Sequence, residues 1–450
     1  MRAQTSIGLI LLALAACTPR TQDRPASPAQ TSAAPPVAIR IVAFNDFHGN
    51  LPPPRQYITA QTPTGPVKVP AGGGAYFASA IAKLKAENPL NIVVSAGDMT
   101  GASPLMSSLF LDEPTIEAMN LIGVDLNAAG NHEFDRGQDE LKRLQTGGCA
   151  KFAAREPCQL SPKFPGASFQ YLAANSVRQD GSTLFPPYAI RTFGEGKGAI
   201  KVGFIGTTLK GTAEIVSAAG IAGIHFADEA KTANALIPEL RAKGADVIVV
   251  LVHEGGRVTA PHGAPSCAGL EGDILPVLDA LDPAVDIVIS GHTHREYVCD
   301  FGTVNPAKPF LLTSAGQYGT LVTSIDIAVD PLTRKLVSKH AENVIVQGEA
   351  YDGGTGRVDL TNAAPVYPAD PRIKALIDRY SAASATFTQR VVGHATGAIL
   401  RASTPSGEQA AGNLIADAQL AALRGPGGAQ LAFMNQGGVR ADILTEPDGS

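Results

Sequence analysis

The chain of 450 residues has no tryptophan and no tract of basic residues, and its formal net charge is −5 with a pI of about 6.0. Without a basic tract, binding of a nucleic-acid polymer is not the expected main task of the protein. No internal repeat is evident. Hydrophobic residues make up 44% of the chain, and its length allows about two or three domains with packed cores.

The N-terminus lacks an apolar run long enough to span a bilayer as a mature helix. Its run at residues 7–16 follows Arg2 and leads into Cys17, within the sequence LAAC. This pattern resembles a bacterial lipobox and predicts a lipoprotein signal peptide at 1–17 with Cys17 as the lipidated residue. A plain cleaved signal with an accidental cysteine is the alternative. Residues 18–37, rich in Pro, Ser, Thr, Ala and Gln, predict a flexible tether.

The N-terminal pattern also predicts where the protein works. We expect it to be exported and lipid-anchored in the cell envelope, in the periplasm or at the outer membrane. Its membrane contact would then be made only through the N-terminal lipid.

Cysteine is scarce, and four cysteines remain besides the predicted lipidation site, an even number that suits an oxidising compartment. We expect disulfides between Cys149 and Cys158 and between Cys267 and Cys299. Four cysteines permit three pairings, and four free thiols are the alternative. None of the four lies in a polar motif, so none is expected to be a metal ligand or a nucleophile.

Histidine is also scarce, and five of the nine histidines lie in five short polar motifs. These motifs are DFH (46–48), GD (97–98), GNHE (130–133), HE (253–254) and GHTH (291–294). Their oxygen and imidazole donors, without a thiolate, suit Mn, Zn, Fe or Mg rather than a soft metal or an iron–sulfur cluster. The set is large enough for two metals that share a carboxylate, an arrangement that recurs in phosphate-ester hydrolysis.

Four of these motifs directly follow continuous apolar runs, at residues 39–44, 91–96, 246–252 and 286–290. Such runs predict buried strands, with the polar residues on loops at their carboxyl ends. Because those ends meet along one edge of an α/β sheet, we expect the donors to converge there. Helices are predicted between the strands, at 74–87, 113–121 and 228–243.

Each motif taken alone has an ordinary interpretation. An Asp-x-His sequence usually marks a turn, and GNHE fits a polar loop. The five motifs in this order and context favour a metal site. The other four histidines have no such neighbours and are interpreted as surface or core residues, namely His225, His262, His340 and His394.

The motif order resembles that of the calcineurin-like metallophosphoesterases, in particular the 5′-nucleotidase branch. The matching segments are AFNDFHGN (43–50), SAGD (95–98), GNHEFD (130–135), VGFIGTT (202–208), LVHEGG (251–256), SGHTH (290–294), GNLIAD (412–417) and NQGGVR (435–440). The resemblance covers residues 38–450, and over this range the chain is similar to bacterial exported 5′-nucleotidases and UDP-sugar hydrolases.

The resemblance implies an α/β fold with three parts. A four-layer α/β/β/α metallophosphoesterase sandwich is expected at 38–346, and a linker with a helix at 347–387. Residues 388–450 would begin an α/β substrate-binding domain of the 5′-nucleotidase type, which is incomplete here. The aromatic residues that would stack on a base lie in the missing part and are not assigned.

The resemblance also implies roles for individual residues. One metal would be held by Asp46, His48, Asp98 and His294, and the other by Asp98, Asn131, His253 and His292. The catalytic residues would be His132, near the scissile phosphate, and Asp135, which orients it. Substrate contacts would come from Arg440 and, more weakly, from Arg401, Asn435 and Gly438. The cofactors would be two divalent ions, Zn, Mn, Co or Fe.

The expected function is metal-dependent removal of phosphate from nucleotides, by a monomer that binds a nucleotide or nucleotide sugar. Other esters on the same fold are alternatives: 2′,3′-cyclic nucleotides with 3′-nucleotidase activity, nucleotide-sugar pyrophosphates, or thiosulfate esters. A non-catalytic surface lipoprotein that serves as a binding module is the alternative from another class.

Overall fold

The computed structural model of the protein describes residues 1, 35–353 and 356–445. The predicted signal peptide, Cys17 and most of the predicted tether therefore lie outside the described residues. The described residues from Pro36 onward belong to one compact unit. Among the described residues, no helix combines the length and apolar character needed to cross a membrane.

Eighteen strands occur within the described ranges. In chain order they are β1 (Val37–Phe44), β2 (Gln56–Thr62), β3 (Gly65–Ala71), β4 (Asn91–Ser95), β5 (Leu126–Ala128), β6 (Gln170–Leu172), β7 (Ser176–Arg178), β8 (Tyr188–Phe193), β9 (Ile200–Thr207), β10 (Ile224–Phe226), β11 (Val247–Val252), β12 (Ile287–Ser290), β13 (Glu296–Asp300), β14 (Leu311–Ala315), β15 (Leu321–Val329), β16 (Leu336–Ile345), β17 (Tyr351–Gly353) and β18 (Gly356–Val358).

Nine α-helices accompany these strands in the same described ranges. They are α1 (Gly74–Glu87), α2 (Leu105–Leu109), α3 (Glu113–Ile122), α4 (Gln138–Thr146), α5 (Thr212–Ile215), α6 (Glu229–Ala242), α7 (Ile274–Ala280), α8 (Pro371–Thr388) and α9 (Ala410–Arg424). The predicted helix at 74–87 has the observed bounds, and the helices predicted at 113–121 and 228–243 differ by one residue at one or both ends.

Two six-stranded sheets form the middle of the sandwich. The first sheet has the order β16-β15-β1-β4-β5-β6, in which β1, β4, β5 and β6 are parallel neighbours. The second sheet has the order β13-β14-β12-β11-β9-β8, with β9, β11, β12 and β14 parallel. Each sheet also contains antiparallel strands, so both are mixed.

The two sheets pack face to face through a core built from both. Ile41 of β1 and Val94 of β4 share this core with Val249 of β11 and Ile289 of β12, and all four are buried. The outer face of the first sheet packs against α1 and α3, and that of the second against α6 and α7. The expected four-layer α/β/β/α fold is confirmed.

The predicted linker helix is present as α8, which begins at Pro371. Asp370 caps it, since its carboxylate accepts hydrogen bonds from the backbone N–H of Arg372 at 2.8 Å and of Ile373 at 3.3 Å. Its buried residues Ile373 and Tyr380 pack toward α1, α2 and α3. The helix is thus docked on the sandwich, and the predicted domain boundaries stay predictions.

After α8 the described chain is largely exposed, with α9 and isolated bridges such as that between Ile399 and Ile443. Both expected disulfides, Cys149–Cys158 and Cys267–Cys299, are present.

Candidate metal centre and active site

The polar motifs emerge from five strands at a common edge of the sandwich. Asp46 and His48 follow β1, and Asp98 follows β4, beside it in the first sheet. His253 follows β11 of the second sheet, and His292 and His294 follow β12, its parallel neighbour. Asn131 follows β5, a strand of three residues that the sequence did not reveal. The predicted convergence at strand ends is therefore what the fold produces.

The first group of candidate ligands consists of Asp46, His48 and His294. The Nε2 atoms of His48 and His294 lie 3.1 Å apart, and Asp46 Oδ1 lies 3.4 Å from His294 Nε2. Asp46 and His48 are fully buried, whereas the side chain of His294 is 21% exposed. An ion in this group would be reached from the side of His294.

The second group consists of Asp98, His253 and His292, with Asn131 beside it. His253 Nε2 lies 3.0 Å from Asp98 Oδ2, and Asn131 Oδ1 lies 3.1 Å from His253 Nε2 and 3.0 Å from His292 Nδ1. Asp98 Oδ2 is also 3.7 Å from His48 Nε2 of the first group. The carboxylate of Asp98 thus stands between the groups, where a shared ligand is required.

The hydrogen bonds of the buried imidazoles of His48 and His253 show whether the two ligand groups suit cations. Nδ1 of His48 lies 2.9 Å from the Gly101 carbonyl, and Nδ1 of His253 lies 2.8 Å from the Ala96 carbonyl. Carbonyls only accept, so each Nδ1 carries the proton. The Nε2 lone pairs then face carboxylate and amide oxygens or a second imidazole. Lone pairs that point at one another need a cation between them, and this donor set suits divalent metals.

The pKa of His253 shows the same demand for positive charge. Burial lowers this pKa, but the carboxylate of Asp98, with a smaller effect of Asp46, outweighs burial and raises it to about 10. At neutral pH a proton would satisfy this site, and a metal ion would replace that proton.

Five of the candidate ligands adopt left-handed backbone conformations, with φ between 47° and 71°. They are Asp46, His48, Asp98, His292 and His294. This region is sparsely populated by residues other than glycine and costs roughly 1–3 kcal/mol per residue. Hydrogen bonds hold the strain in place; for example, the backbone N–H of His292 donates to Asp46 Oδ2 at 2.9 Å. The ligand loops are thus held in the geometry that turns their side chains inward.

Two motif glycines are required by close approach rather than by turns alone. A Cβ on Gly97 would lie 2.6 Å from Nδ1 of His253, and one on Gly130 would collide with the carboxylate of Asp98. The loops can therefore come together only where these residues have no side chain.

Glu133 is a supporting residue whose role the sequence did not reveal. Its Oε1 accepts hydrogen bonds from the backbone N–H of Met99 (2.8 Å) and Thr100 (3.2 Å), and its Oε2 from those of Asp98 (2.9 Å) and Gly130 (2.7 Å). This buried carboxylate fastens the loop of Asp98 to the loop of Asn131. Burial, and then the charge of Asp98, raise the pKa of Glu133 to about 7.

Asn45 and Tyr318 complete the supporting shell. Asn45 Nδ2 donates to Asp46 Oδ2 at 2.7 Å, while its Oδ1 accepts from the Ala315 N–H at 2.7 Å. The Tyr318 ring lies 5.9 Å from that of His48 and 5.6 Å from that of His294. Asn45 directly precedes a predicted ligand and lies in the AFNDFHGN segment, which were its sequence signals; Tyr318 gave none.

His132 and Asp135 are paired beside the metal ligands. His132 Nδ1 lies 2.9 Å from Asp135 Oδ2, which also accepts the Ala102 N–H at 2.9 Å. The backbone N–H of His132 donates to Asp98 Oδ1 at 2.9 Å. Burial lowers the pKa of His132, but Asp98 and then Asp135 outweigh burial, so its pKa is raised. The positively charged imidazole is therefore favoured, although the charge of Arg440 opposes it.

Arg440 reaches the same place from the C-terminal part of the chain. Its Nη2 lies 3.1 Å from His132 Nε2, and its Nη1 lies 3.4 Å from His294 Nε2. Gly438 and Arg440 line a cleft of about 590 Å³ together with His132, Tyr318 and residues of the 50–56 and 102–104 segments, which we call the Arg440 cleft.

The other predicted substrate contacts lie outside this cleft. Arg401 is exposed and donates to the Arg440 carbonyl at 3.5 Å, behind the guanidinium. The Asn435 side chain accepts the Gly438 N–H at 2.7 Å, which caps a 3-10 turn (Gln436–Gly438). Both residues thus support the loop of Arg440 in this arrangement.

A second opening, the His292 groove, reaches the ligand cluster at His292. It has a volume of about 690 Å³ and is lined by His292, Lys210 and five carboxylate residues. These are Glu214, Asp228, Glu229, Glu254 and Asp273. Its acidic character contrasts with that of the Arg440 cleft, whose charged lining residues are basic.

Two adjacent ligand groups at the edge of an α/β/β/α sandwich define a candidate binuclear metal centre of the phosphoesterase type. Comparison with known families supports this interpretation of the site. The chain belongs to the calcineurin-like phosphoesterase family, whose model matches residues 39–296. The 5′-nucleotidase C-terminal domain matches residues 391–450. Phosphoester hydrolysis with divalent metals is the chemistry of this family.

Individual relatives extend the comparison. The chain is 31% identical over 419 residues to the endonuclease YhcR of Bacillus subtilis, covering 93% of this chain and 31% of that protein. It is 31% identical over 220 residues to a 5′-nucleotidase of Vibrio cholerae, covering 48% of this chain and 34% of that protein. The chain thus spans about a third of the length of each.

Among solved structures, the 5′-nucleotidase precursor of Thermus thermophilus superimposes with a TM-score of 0.64 and 24% identity. The match covers 91% of this chain and 71% of that one. At this identity the likeness supports the fold, and the activity of the present chain is argued from its own site.

Proposed function

We propose that the protein is an exported phosphohydrolase that removes phosphate from nucleotides with two divalent metal ions. The observation that carries the proposal is the meeting of two ligand groups with His132 and Arg440 at the mouth of one cleft. Ions bound there would supply a water activated near neutral pH and would neutralise charge on the phosphoryl group. The roles of the predicted ligands, including Asn131, are part of this proposal.

Two side chains are suited to act on the bound phosphate directly. A phosphate oxygen that lies beside His132 Nε2 and Arg440 Nη2, whose nitrogen atoms are 3.1 Å apart, would accept a hydrogen bond from each. As imidazolium, His132 can give its Nε2 proton to the leaving oxygen, while Asp135 holds Nδ1–H. Arg440 supplies a permanent cation with two donors.

Export is proposed from the N-terminal sequence and is supported by the two disulfides, which persist in oxidising compartments. Lipidation at Cys17 and attachment to the cell envelope belong to the same proposal. A monomeric state is proposed as well.

A second candidate is hydrolysis of a phosphodiester or a nucleotide-sugar pyrophosphate at the same site. It is favoured by the similarity to an endonuclease over 93% of this chain. The carboxylates of the His292 groove repel a long polyanion that would extend past His292, so small substrates are preferred here. A non-catalytic binding module has no need for this ligand cluster and the His132–Asp135 pair.

The test is hydrolysis of AMP, 2′,3′-cyclic AMP, UDP-glucose and single-stranded DNA by the full chain, with free phosphate measured for AMP and the products separated by chromatography for the other three. We expect release from AMP that EDTA abolishes and that Mn, Zn or Co restores. Metal content before and after EDTA is measured in parallel. Absence of metal-dependent phosphate release from AMP would refute the proposal. Preferential cleavage of a diester or of UDP-glucose would establish the second candidate.

A further inference from the structure

The Arg440 cleft carries a second arginine that the proposed chemistry does not use. Arg55 lines the cleft together with His132 and Arg440, and no carboxylate residue lines it within the described part of the chain. Arg55 is exposed, and its guanidinium has no hydrogen-bond or ion-pair partner among the described residues. A cation left without a counter-charge in a substrate cleft is available to bind an anion.

The wall that presents Arg55 is anchored to the sandwich. Pro53 and Pro54 precede it and pack against the chain entering α1; a Cβ on Gly72 would lie 2.7 Å from Pro54, and one on Gly73 would lie 3.1 Å from Pro53. Directly after Arg55, β2 pairs with β3 from Gln56 onward. Arg55 is thus held between a proline segment and a hairpin, in a left-handed conformation with φ of 52°. A fixed position lowers the entropy lost on binding.

The position of Arg55 relative to the reacting end determines what it can contact. His132 and Arg440 contact each other at 3.1 Å beside the metal ligands, so the phosphate under attack belongs there. Arg55 lines the same 590 Å³ space but contacts neither residue. This place in the lining suits contact with a part of the substrate beyond the attacked phosphate.

Resting on the proposed function, we propose that Arg55 binds a second phosphate group of the substrate and thereby favours phosphoanhydrides over monophosphates. The substrates concerned are nucleoside diphosphates and nucleotide sugars, in which two phosphates are linked through one oxygen. In a monophosphate the neutral ribose occupies this position, so Arg55 contributes little. Arg55 is a specificity residue in this scheme and takes no part in proton transfer.

The test compares ADP with AMP in the metal-loaded full chain. Arg55→Asn removes the cation, and asparagine adopts left-handed φ values readily, which preserves the backbone. We expect kcat/KM for ADP to fall on the order of 10- to 100-fold, mainly through KM, because a hydrogen-bonded charge pair is lost. AMP should change less than about threefold. Arg55→Lys should restore part of the preference, and Arg155→Asn, an exposed arginine outside the cleft, should leave both substrates unchanged.

A binding measurement separates this inference from the proposed function. Calorimetry with a non-hydrolysable ADP analogue, whose phosphates are joined by a methylene group, reports on Arg55 even without turnover. Tighter binding of the analogue than of AMP, lost in Arg55→Asn, supports the inference whether or not AMP is hydrolysed. Equal effects of Arg55→Asn on ADP and AMP, or no effect on either, would overturn the inference about Arg55. The proposed function would still stand if the unsubstituted protein releases phosphate from AMP.

Discussion

Glu133 offers a test of how the metal site is built. It is not a predicted metal ligand, but its hydrogen bonds fix two loops that carry ligands. Each of its carboxylate oxygens accepts two backbone N–H groups, from Asp98 and Gly130 on one side and from Met99 and Thr100 on the other. Glu133→Gln keeps the shape but replaces one oxygen by an NH₂ group. Two buried N–H groups then face a donor in place of an acceptor.

The size of the effect follows from this count. An unsatisfied buried donor costs about 1–3 kcal/mol, so two cost about 2–6 kcal/mol. With an unfolding entropy of ~2.1 cal/mol/K per residue over roughly 310 residues of the sandwich, the Tm falls by about 3–9 °C. Loss of a supporting contact around a metal site also weakens metal binding by roughly 10–100-fold.

The assay is calorimetric unfolding of the metal-free protein together with titration of Zn or Mn into it. Glu254→Gln is the matched control, since Glu254 is also buried but its Oε1 accepts one backbone N–H, that of Gly255, at 2.8 Å. A glutamine oxygen can replace that acceptor, so this control should change little. If the two variants had the same Tm and metal affinity, the reasoning about Glu133 would be wrong.

Three further predictions concern the ligands and the catalytic groups. His132→Ala should keep both metals and lower kcat by roughly 10²–10⁴, whereas Asp98→Ala should lose metal by elemental analysis; loss of metal from both would refute the assignment. Arg440→Ala should reduce kcat/KM for AMP and for p-nitrophenyl phosphate alike, because Arg440 lies against His132; a loss confined to AMP would place its effect on the nucleoside. In the metal-free protein, His292→Gly should be more stable than His292→Ala by about 1 kcal/mol, because φ is 71°; the order should reverse at His253, and the same order at both positions would contradict the strain argument.

The parts of the fold that the sequence predicted are those with strong local patterns. The apolar run of β11 has every residue buried, which is why it could be recognised as a central strand. The helix at 74–87 shows a helical repeat of buried residues that includes Phe77, Ile81 and Leu84. In contrast, β5 has three residues and no pattern that distinguishes it from a loop. The hairpin of β2 and β3, which presents Arg55, was also not predicted.

The candidate ligands could be predicted because their side-chain chemistry is visible in the sequence. The residues that hold the ligand loops in place could not be predicted in this way. Glu133 accepts hydrogen bonds from residues 33 to 35 positions earlier, and Asn45 is fixed by Ala315 of β14, a strand of the other sheet. Such contacts depend on which loops meet, and the sequence pattern does not encode this locally. Arg440 was predicted to contact the substrate, but its contact with His132 follows only from the folded arrangement.

The backbone of the ligand loops explains why chemistry and support must be considered together. Five ligand residues at φ of 47° to 71° cost roughly 1–3 kcal/mol each, a sum comparable with the stability of an ordinary domain. That cost is tolerable only if other interactions fix the loops, as Glu133 and Asn45 do, or if bound cations return free energy of the same order. Metal binding should therefore stabilise the folded protein as well as enable its chemistry. Because Glu133 and Asn45 hold the strained loops before any ion binds, folding of the sandwich bears the cost and metal binding does not. Loops free to relax would have to be strained again on binding, which would weaken metal affinity.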